Sequence, residues 1–219
     1  MTDTTCTHTP RHIDTVYIDY NRVINSGGET GSDQMFRAMC RFMIELDYLQ
    51  PNVCKVLLSY GYRENITLKE LSKAGVGDLF DDIVFTRFRT TNERLGESCT
   101  DQPPQLSRFR YAWWRDKRWW KRRPQWVPEN YAIWTGGKDE YLKHCCQERS
   151  YPLHCRYVAV FIDDKQGNLE AAQLLVPQMK CIHFINSNSG IHHYRNESQQ
   201  TLHNLPQLAK VLKDLTEGD

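Results

Sequence analysis

The 219-residue sequence has no uninterrupted apolar stretch of the roughly 20 residues a bilayer-crossing helix needs, so no membrane span is expected. Residues 1–12 lack the apolar core of a secretory signal, and read as a loose tail. The eight cysteines (Cys6, Cys40, Cys54, Cys99, Cys145, Cys146, Cys155 and Cys181) are scattered, with no framework spacing that would indicate a disulfide scaffold. Together these absences point to a reduced, intracellular location, with the cytoplasm expected. The tripeptides Asn65-Ile66-Thr67 and Asn196-Glu197-Ser198 match the glycosylation pattern, but without an export signal they carry no weight. There is no internal repeat and no low-complexity tract, which excludes a solenoid. What remains is a chain with 40% apolar residues, long enough for one domain with an insert.

The sequence also has almost no net charge, at +1, but the balance hides a strong segregation. Arg108 to Arg123 holds eight basic residues and one acid, which leaves the rest of the chain acidic. Outside that segment, short apolar runs alternate with helical periodicity. Val16 to Ile18, Lys55 to Leu58, Ile83 to Phe85, a run ending at Asp163, and Cys181 to Phe184 read as buried strands. After Gly27-Gly28, Ser32 or Asp33 is placed to cap a helix whose Phe36, Met39, Met43 and Leu46 keep helical spacing until Pro51 stops it. Thr67 and Glu70 form a capping box for a helix ending near Gly75. Further helices are expected from Gly136-Gly137 through Cys146, from near Asn168, and from Leu205 to Leu215. Strands alternating with helices predict an α/β fold with a mostly parallel central sheet covered on both faces, a three-layer sandwich. The pattern breaks between Arg89 and Ile133, so residues 13–88 and 134–219 read as the core and 89–133 as an insertion.

Two of the strands end in carboxylates, at Asp19 and at Asp163-Asp164, where open α/β sheets place their ligand sites. The pairing points to phosphoryl chemistry. Four motifs carry a closer likeness: the strand ending in Asp19 with Val23 four residues on; Val56-Leu57-Leu58-Ser59; Lys138 after Gly136-Gly137; and Phe161-Ile162-Asp163-Asp164 running into Asn168 and Ala172. In this order the chain resembles the haloacid dehalogenase-like hydrolases, mostly phosphatases and phosphotransferases on a Rossmann-like sheet, from about Val16 to Phe184 without the insertion.

The resemblance implies a Mg²⁺-dependent phosphohydrolase acting on a phosphate monoester. Asp19 would be the nucleophile forming an aspartyl-phosphate. Asp19, the backbone carbonyl of Asn21, Asp163 and Asp164 would hold Mg²⁺, a hard cation suited to oxygen ligands. Ser59 would bind a phosphoryl oxygen with Tyr60 beside it, and Lys138 would offset the crowded negative charge. Asn168 would cap its helix and brace the acidic loop. Asp14 is a poor substitute nucleophile, because it precedes the strand. One position departs from the family: the usual second aspartate, which protonates the leaving group and then activates water, is Asn21 here. An amide cannot donate and retrieve a proton, and losing such a group typically costs about 10²- to 10⁴-fold in rate. A slow phosphatase, an enzyme for substrates with good leaving groups, and an inactive relative that only binds all remain open.

Within the insertion, residues 107–126 place five of the six tryptophans among eight basic residues. Cations neutralise phosphates and flat rings stack bases, a combination suited to single-stranded nucleic acid. The resemblance instead implies a cap over the site, with Arg118, Lys121 and Arg122 gripping substrate. A third reading has the tryptophans packing the insert onto the core. His144, Cys145, Cys146, His154 and Cys155 do not make a zinc site by spacing, since adjacent helical cysteines point about 100° apart. His192-His193 falls in a polar loop and reads as surface.

Overall fold

The structure, a computed structural model, describes residues 12–25, 33–49, 52–61, 67–71, 77–96, 103–108, 131–148, 157–184, 201–202 and 205–217. Its strands are β1 (His12–Ile18), β2 (Cys54–Tyr60), β3 (Asp82–Thr86), β4 (Leu106–Arg108), β5 (Tyr131–Trp134), β6 (Tyr157–Asp163), β7 (Lys180–Phe184) and β8 (Thr201–Leu202). They form one sheet in the order β4-β5-β3-β2-β1-β6-β7-β8. Every neighbouring pair is parallel except β4 and β5.

Side-chain alternation within each strand serves two cores, as a sheet covered on both faces requires. Val16, Ile18, Leu57, Ile83, Val160 and Ile182 share one face with Met39, Phe42, Met43 and Leu46 of α1 (Asp33–Leu49) and Leu208 and Leu212 of α6 (Leu205–Glu217). Tyr17, Val56, Leu58, Val84, Ala132 and Phe161 share the other with Tyr141, Leu142 and Cys146 of α4 (Lys138–Glu148) and Leu169 and Ala172 of α5 (Gln166–Leu175). The helical spacing read from Met39, Met43 and Leu46 thus corresponds to a buried face, and α1 ends two residues before Pro51. Residues 67–71, as far as they are described, are helical (α2), and α3 is Thr91–Gly96. Among the described residues no helix is long and apolar enough to cross a membrane.

Three expectations are corrected. First, β1 begins at His12, so Asp14 lies within the strand, where the β1–β6 register shifts between Ile13 and Thr15. Ladder hydrogen bonds use the backbone and extend past the apolar run that marked the strand in sequence. Second, Thr67 is already helical, so it is not the residue that precedes the helix, and Glu70 accepts a hydrogen bond from the Tyr20 hydroxyl, a partner 50 residues away in the chain; the expected end of that helix near Gly75 lies outside the described residues. Third, the boundary at 133/134 falls inside β5, and residues 103–108 and 131–133 belong to the sheet and its approach. Of the expected insertion, 97–102 and 109–130 lie outside the described residues. Arg108 pairs with Ala132, and Tyr131 with Ile83 near the start of β3. Residues 109–130 therefore leave and rejoin the sheet at the edge where its parallel strands begin.

Candidate functional site

From β1 the chain proceeds to β2 on one side, and from β6 to β7 on the other, so the connections diverge at the carboxyl ends of the two adjacent strands. Such a switch point leaves a crevice. Asp19 is the first residue past β1, and its N–H still donates to the Ile162 carbonyl at 2.9 Å; Asp163 is the last residue of β6. Both carboxylates therefore emerge side by side. One oxygen from each of Asp19, Asp163 and Asp164 lies within 4.8 Å of the others. Among the described residues this is the one group of three or more His, Cys, Asp or Glu side chains with metal-binding proximity.

Lys138 arrives from the other side of the crevice as the first residue of α4. It is 1% exposed, and its Nζ donates to Asp19 Oδ1 at 2.8 Å and to Asp163 Oδ2 at 2.7 Å. The turn before it tolerates no side chain at Gly137, where a Cβ would fall 2.7 Å from Thr91 N and against the Thr90 carbonyl carbon. Around that turn, Lys138 N–H donates to the Arg89 carbonyl, and both Asp139 oxygens accept from Thr91 N–H at 2.9 and 3.1 Å. Glu140 accepts from Gly137 N–H at 2.9 Å and forms a bidentate pair with Arg94. The lysine is thus held by a clamp between α3 and α4.

Asp163 is braced from the opposite side. Lys165 N–H donates to its Oδ1 at 2.8 Å, and Asn168 Nδ2 lies 3.0 Å from both oxygens. Asn168 is the third residue of α5, whose N-cap position is Lys165, so Asn168 braces the acidic residue and does not cap the helix. Asp164 has a mostly buried side chain with Arg22 Nε 3.9 Å from its Oδ2. His183 Nε2 lies 2.9 Å from the Asp164 carbonyl, which can only accept, so that nitrogen carries the proton. Sequence reasoning missed His183; its signal was a polar residue inside the apolar strand Cys181 to Phe184.

Three carboxylates against one lysine leave the crevice negative. Burial raises the pKa of Asp19, Lys138 opposes that rise and Asp163 adds to it. Burial alone would lower the lysine, but the carboxylates of Asp163 and Asp19 outweigh it and keep the ammonium charged. Asp164 is pushed up to about 7 by burial and by the neighbouring Asp163 and Asp19.

After Asp19 the backbone makes a tight turn, Tyr20–Ile24. Asn21 is extended at φ −72°, and Arg22 takes a left-handed φ of 62°. Asn25 closes the turn, its N–H donating to the Tyr20 carbonyl and its Oδ1 accepting from Arg22 N–H. Ser59, near the carboxyl end of β2, is fully buried, with no hydrogen-bond partner for its Oγ. Tyr60 ends β2 with the Arg89 guanidinium 5.1 Å above its ring. Arg118, Lys121, Arg122, His154, Cys155 and His192-His193 lie outside the described residues. His144 stacks on Trp134 at 5.1 Å and Cys146 is buried in the core beneath α4, so neither joins the acidic group.

No family model, no curated protein and no solved structure matches the chain.

Proposed function

We propose that the protein is a Mg²⁺-dependent phosphohydrolase of the haloacid dehalogenase-like type, on a Rossmann-like sheet, acting on a phosphate monoester through an aspartyl-phosphate at Asp19. The observation that carries this reading is the convergence of Asp19, Asp163 and the Lys138 ammonium from three elements far apart in sequence. Asp19 is the carboxylate at the end of a rigid strand with one oxygen on Lys138, which leaves its second oxygen for attack on phosphorus. Lys138 stays cationic and offsets the charge that accumulates as a phosphoryl group meets a carboxylate. Ser59 brings a hydroxyl that its own surroundings leave unsatisfied, as a phosphoryl-oxygen ligand would be.

The donor set also suits a divalent cation. The three carboxylates are all hard oxygen donors close enough to share one ion, and their mutual repulsion is what a 2+ charge relieves. Asp19, Asp163 and Asp164 would hold it, with the Asn21 carbonyl as the family likeness implies. When bound, Mg²⁺ would supply charge neutralisation between the nucleophile and the phosphoryl group.

The test is phosphate release from p-nitrophenyl phosphate with Mg²⁺, beside the Asp19→Asn variant. Loss of turnover in the variant is expected, and equal rates would remove the enzyme reading. A second reading rests on composition: residues 107–126 set five tryptophans among eight basic residues, which suits a nucleic-acid contact through Arg108 to Arg123. Binding to single-stranded nucleic acid would weaken steeply with salt, and replacing Arg118, Lys121, Arg122 and Arg123 would flatten that slope. A titration without either effect discards this reading.

A further inference from the structure

The tight turn after Asp19 exposes one side chain. Tyr20, Val23 and Ile24 are buried, Asn21 is partly covered, and Arg22 is exposed, with 54% of its side chain in solvent. Its φ of 62° is one that favours glycine, and a side chain there typically costs about 1–3 kcal/mol of backbone strain. The backbone does not ask for arginine. Its guanidinium stands at the mouth of the crevice, 3.9 Å from Asp164, while Lys138 and Asp19 lie on the buried floor. In-line attack by Asp19 puts the leaving oxygen on the far side of phosphorus, away from the buried floor.

Among the described residues, the side chains that would donate a proton to that oxygen are already committed. Asn21 can offer a hydrogen bond but no proton. The Tyr20 hydroxyl donates to Glu70, and the His183 Nε2 proton goes to the Asp164 carbonyl. Asp164 belongs to the group assigned to the cation. A leaving group must then depart as an anion beside a guanidinium, which pairs with phosphate through two parallel hydrogen bonds.

The geometry points to a phosphoanhydride as substrate, a nucleoside diphosphate or inorganic pyrophosphate, with Arg22 gripping the departing phosphate. This inference rests on the phosphohydrolase reading. An Asp19 oxygen bonds to the terminal phosphorus and the bridging P–O bond breaks, its electron pair leaving on the departing phosphate, which is a nucleoside monophosphate dianion or, from pyrophosphate that already carries one proton near neutral pH, hydrogen phosphate. Water then attacks the aspartyl-phosphate and the bond to Asp19 breaks. The carboxylate is restored, and the water proton passes to the released phosphate or to buffer. Asn21 cannot assist this second half, so the phosphoenzyme accumulates and the first turnover is a burst.

The experiment compares kcat/KM of the full chain with Mg²⁺ on inorganic pyrophosphate, a nucleoside diphosphate, p-nitrophenyl phosphate and glycerol 3-phosphate. The better anhydride is expected to exceed the alkyl ester by at least about 10²-fold, the lower range for a missing general acid. The two anhydride arms identify which source the site takes. Arg22→Gly, which relieves the backbone, and Arg22→Ala should each lower the anhydride-to-aryl ratio at least about tenfold, with Arg22→Lys intermediate. Asn21→Asp should shift preference toward glycerol 3-phosphate, and intact-mass measurement should find a phosphoryl group on the wild type but not on Asp19→Asn. Turnover of p-nitrophenyl phosphate without anhydride turnover, or an unchanged ratio in Arg22→Gly, overturns this inference and leaves the phosphohydrolase reading standing. Equal rates for wild type and Asp19→Asn on every substrate overturn both.

Discussion

Lys138 Nζ lies 2.8 Å from Asp19 Oδ1 across 119 residues of chain, in a crevice where neither side chain is more than 6% exposed. Removing one partner of such a pair leaves charge stranded in a poor solvent. Lys138→Met is therefore expected to destabilise the protein by about 3–5 kcal/mol near pH 8. The deficit should be smaller at about pH 5, because burial raises the Asp19 carboxyl and makes it readier to take up a proton once the ammonium is gone. Urea denaturation at both pH values checks this, and a loss below about 1 kcal/mol at each would contradict a buried charge pair.

Asp164 makes stability depend on pH in a stated direction. Its folded pKa of about 7 lies above the ordinary 3.8, so between those values the native state holds a proton that the unfolded chain has released. Stability should fall as pH rises from about 4 to about 7 and then level off. Asp164→Asn should flatten the fall. Because the cation competes with that proton, the rise in Tm caused by Mg²⁺ should be larger at about pH 8 than at about pH 5.5. Thermal melts with and without Mg²⁺ read both effects.

Ser59 separates function from stability. Its buried Oγ has no hydrogen-bond partner, so Ser59→Ala should change unfolding free energy by less than about 1 kcal/mol, or stabilise slightly. On the phosphohydrolase reading, turnover should drop at least about tenfold, the scale of one lost transition-state hydrogen bond. An unchanged rate would leave the hydroxyl without a role in phosphate binding.

Two glycines, each immediately before a key side chain, should respond oppositely. Gly137→Ala would drive a Cβ into the Thr90–Thr91 backbone and displace the Lys138 it precedes; a loss above about 2 kcal/mol is expected together with lost turnover. Gly167, in the first turn of α5, has nothing within 4 Å of a Cβ, and alanine there should add up to about 1 kcal/mol. Parallel denaturation curves of the two variants decide.

Much of the architecture is legible in the sequence alone. The runs at Val16, Lys55, Ile83 and Cys181 and the spacing of Met39, Met43 and Leu46 correspond to strands and a helix, because burial on one or both faces imposes a period that composition records. Asp19 and Asp163 at strand ends were visible for the same reason. Arg22, His183 and the Tyr20–Glu70 bond were not, because each owes its place to a partner in another element: Asp164 for Arg22 and, 19 residues away, for His183, and Glu70, 50 residues away, for Tyr20. The edge strand β4 and its neighbour β5 fall largely within the expected insertion because they are three and four residues long, too short to show a period.

By itself the sequence determined which segments become strands and helices and which of them end in carboxylates, since those properties follow from local periodicity and chain direction. Only the tertiary structure decided that β1 and β6 are neighbours, that Lys138 enters between their acids, and that residues 109–130 are rooted at the opposite edge. Strand order is set by how whole faces pack together, and no short stretch of residues carries that information.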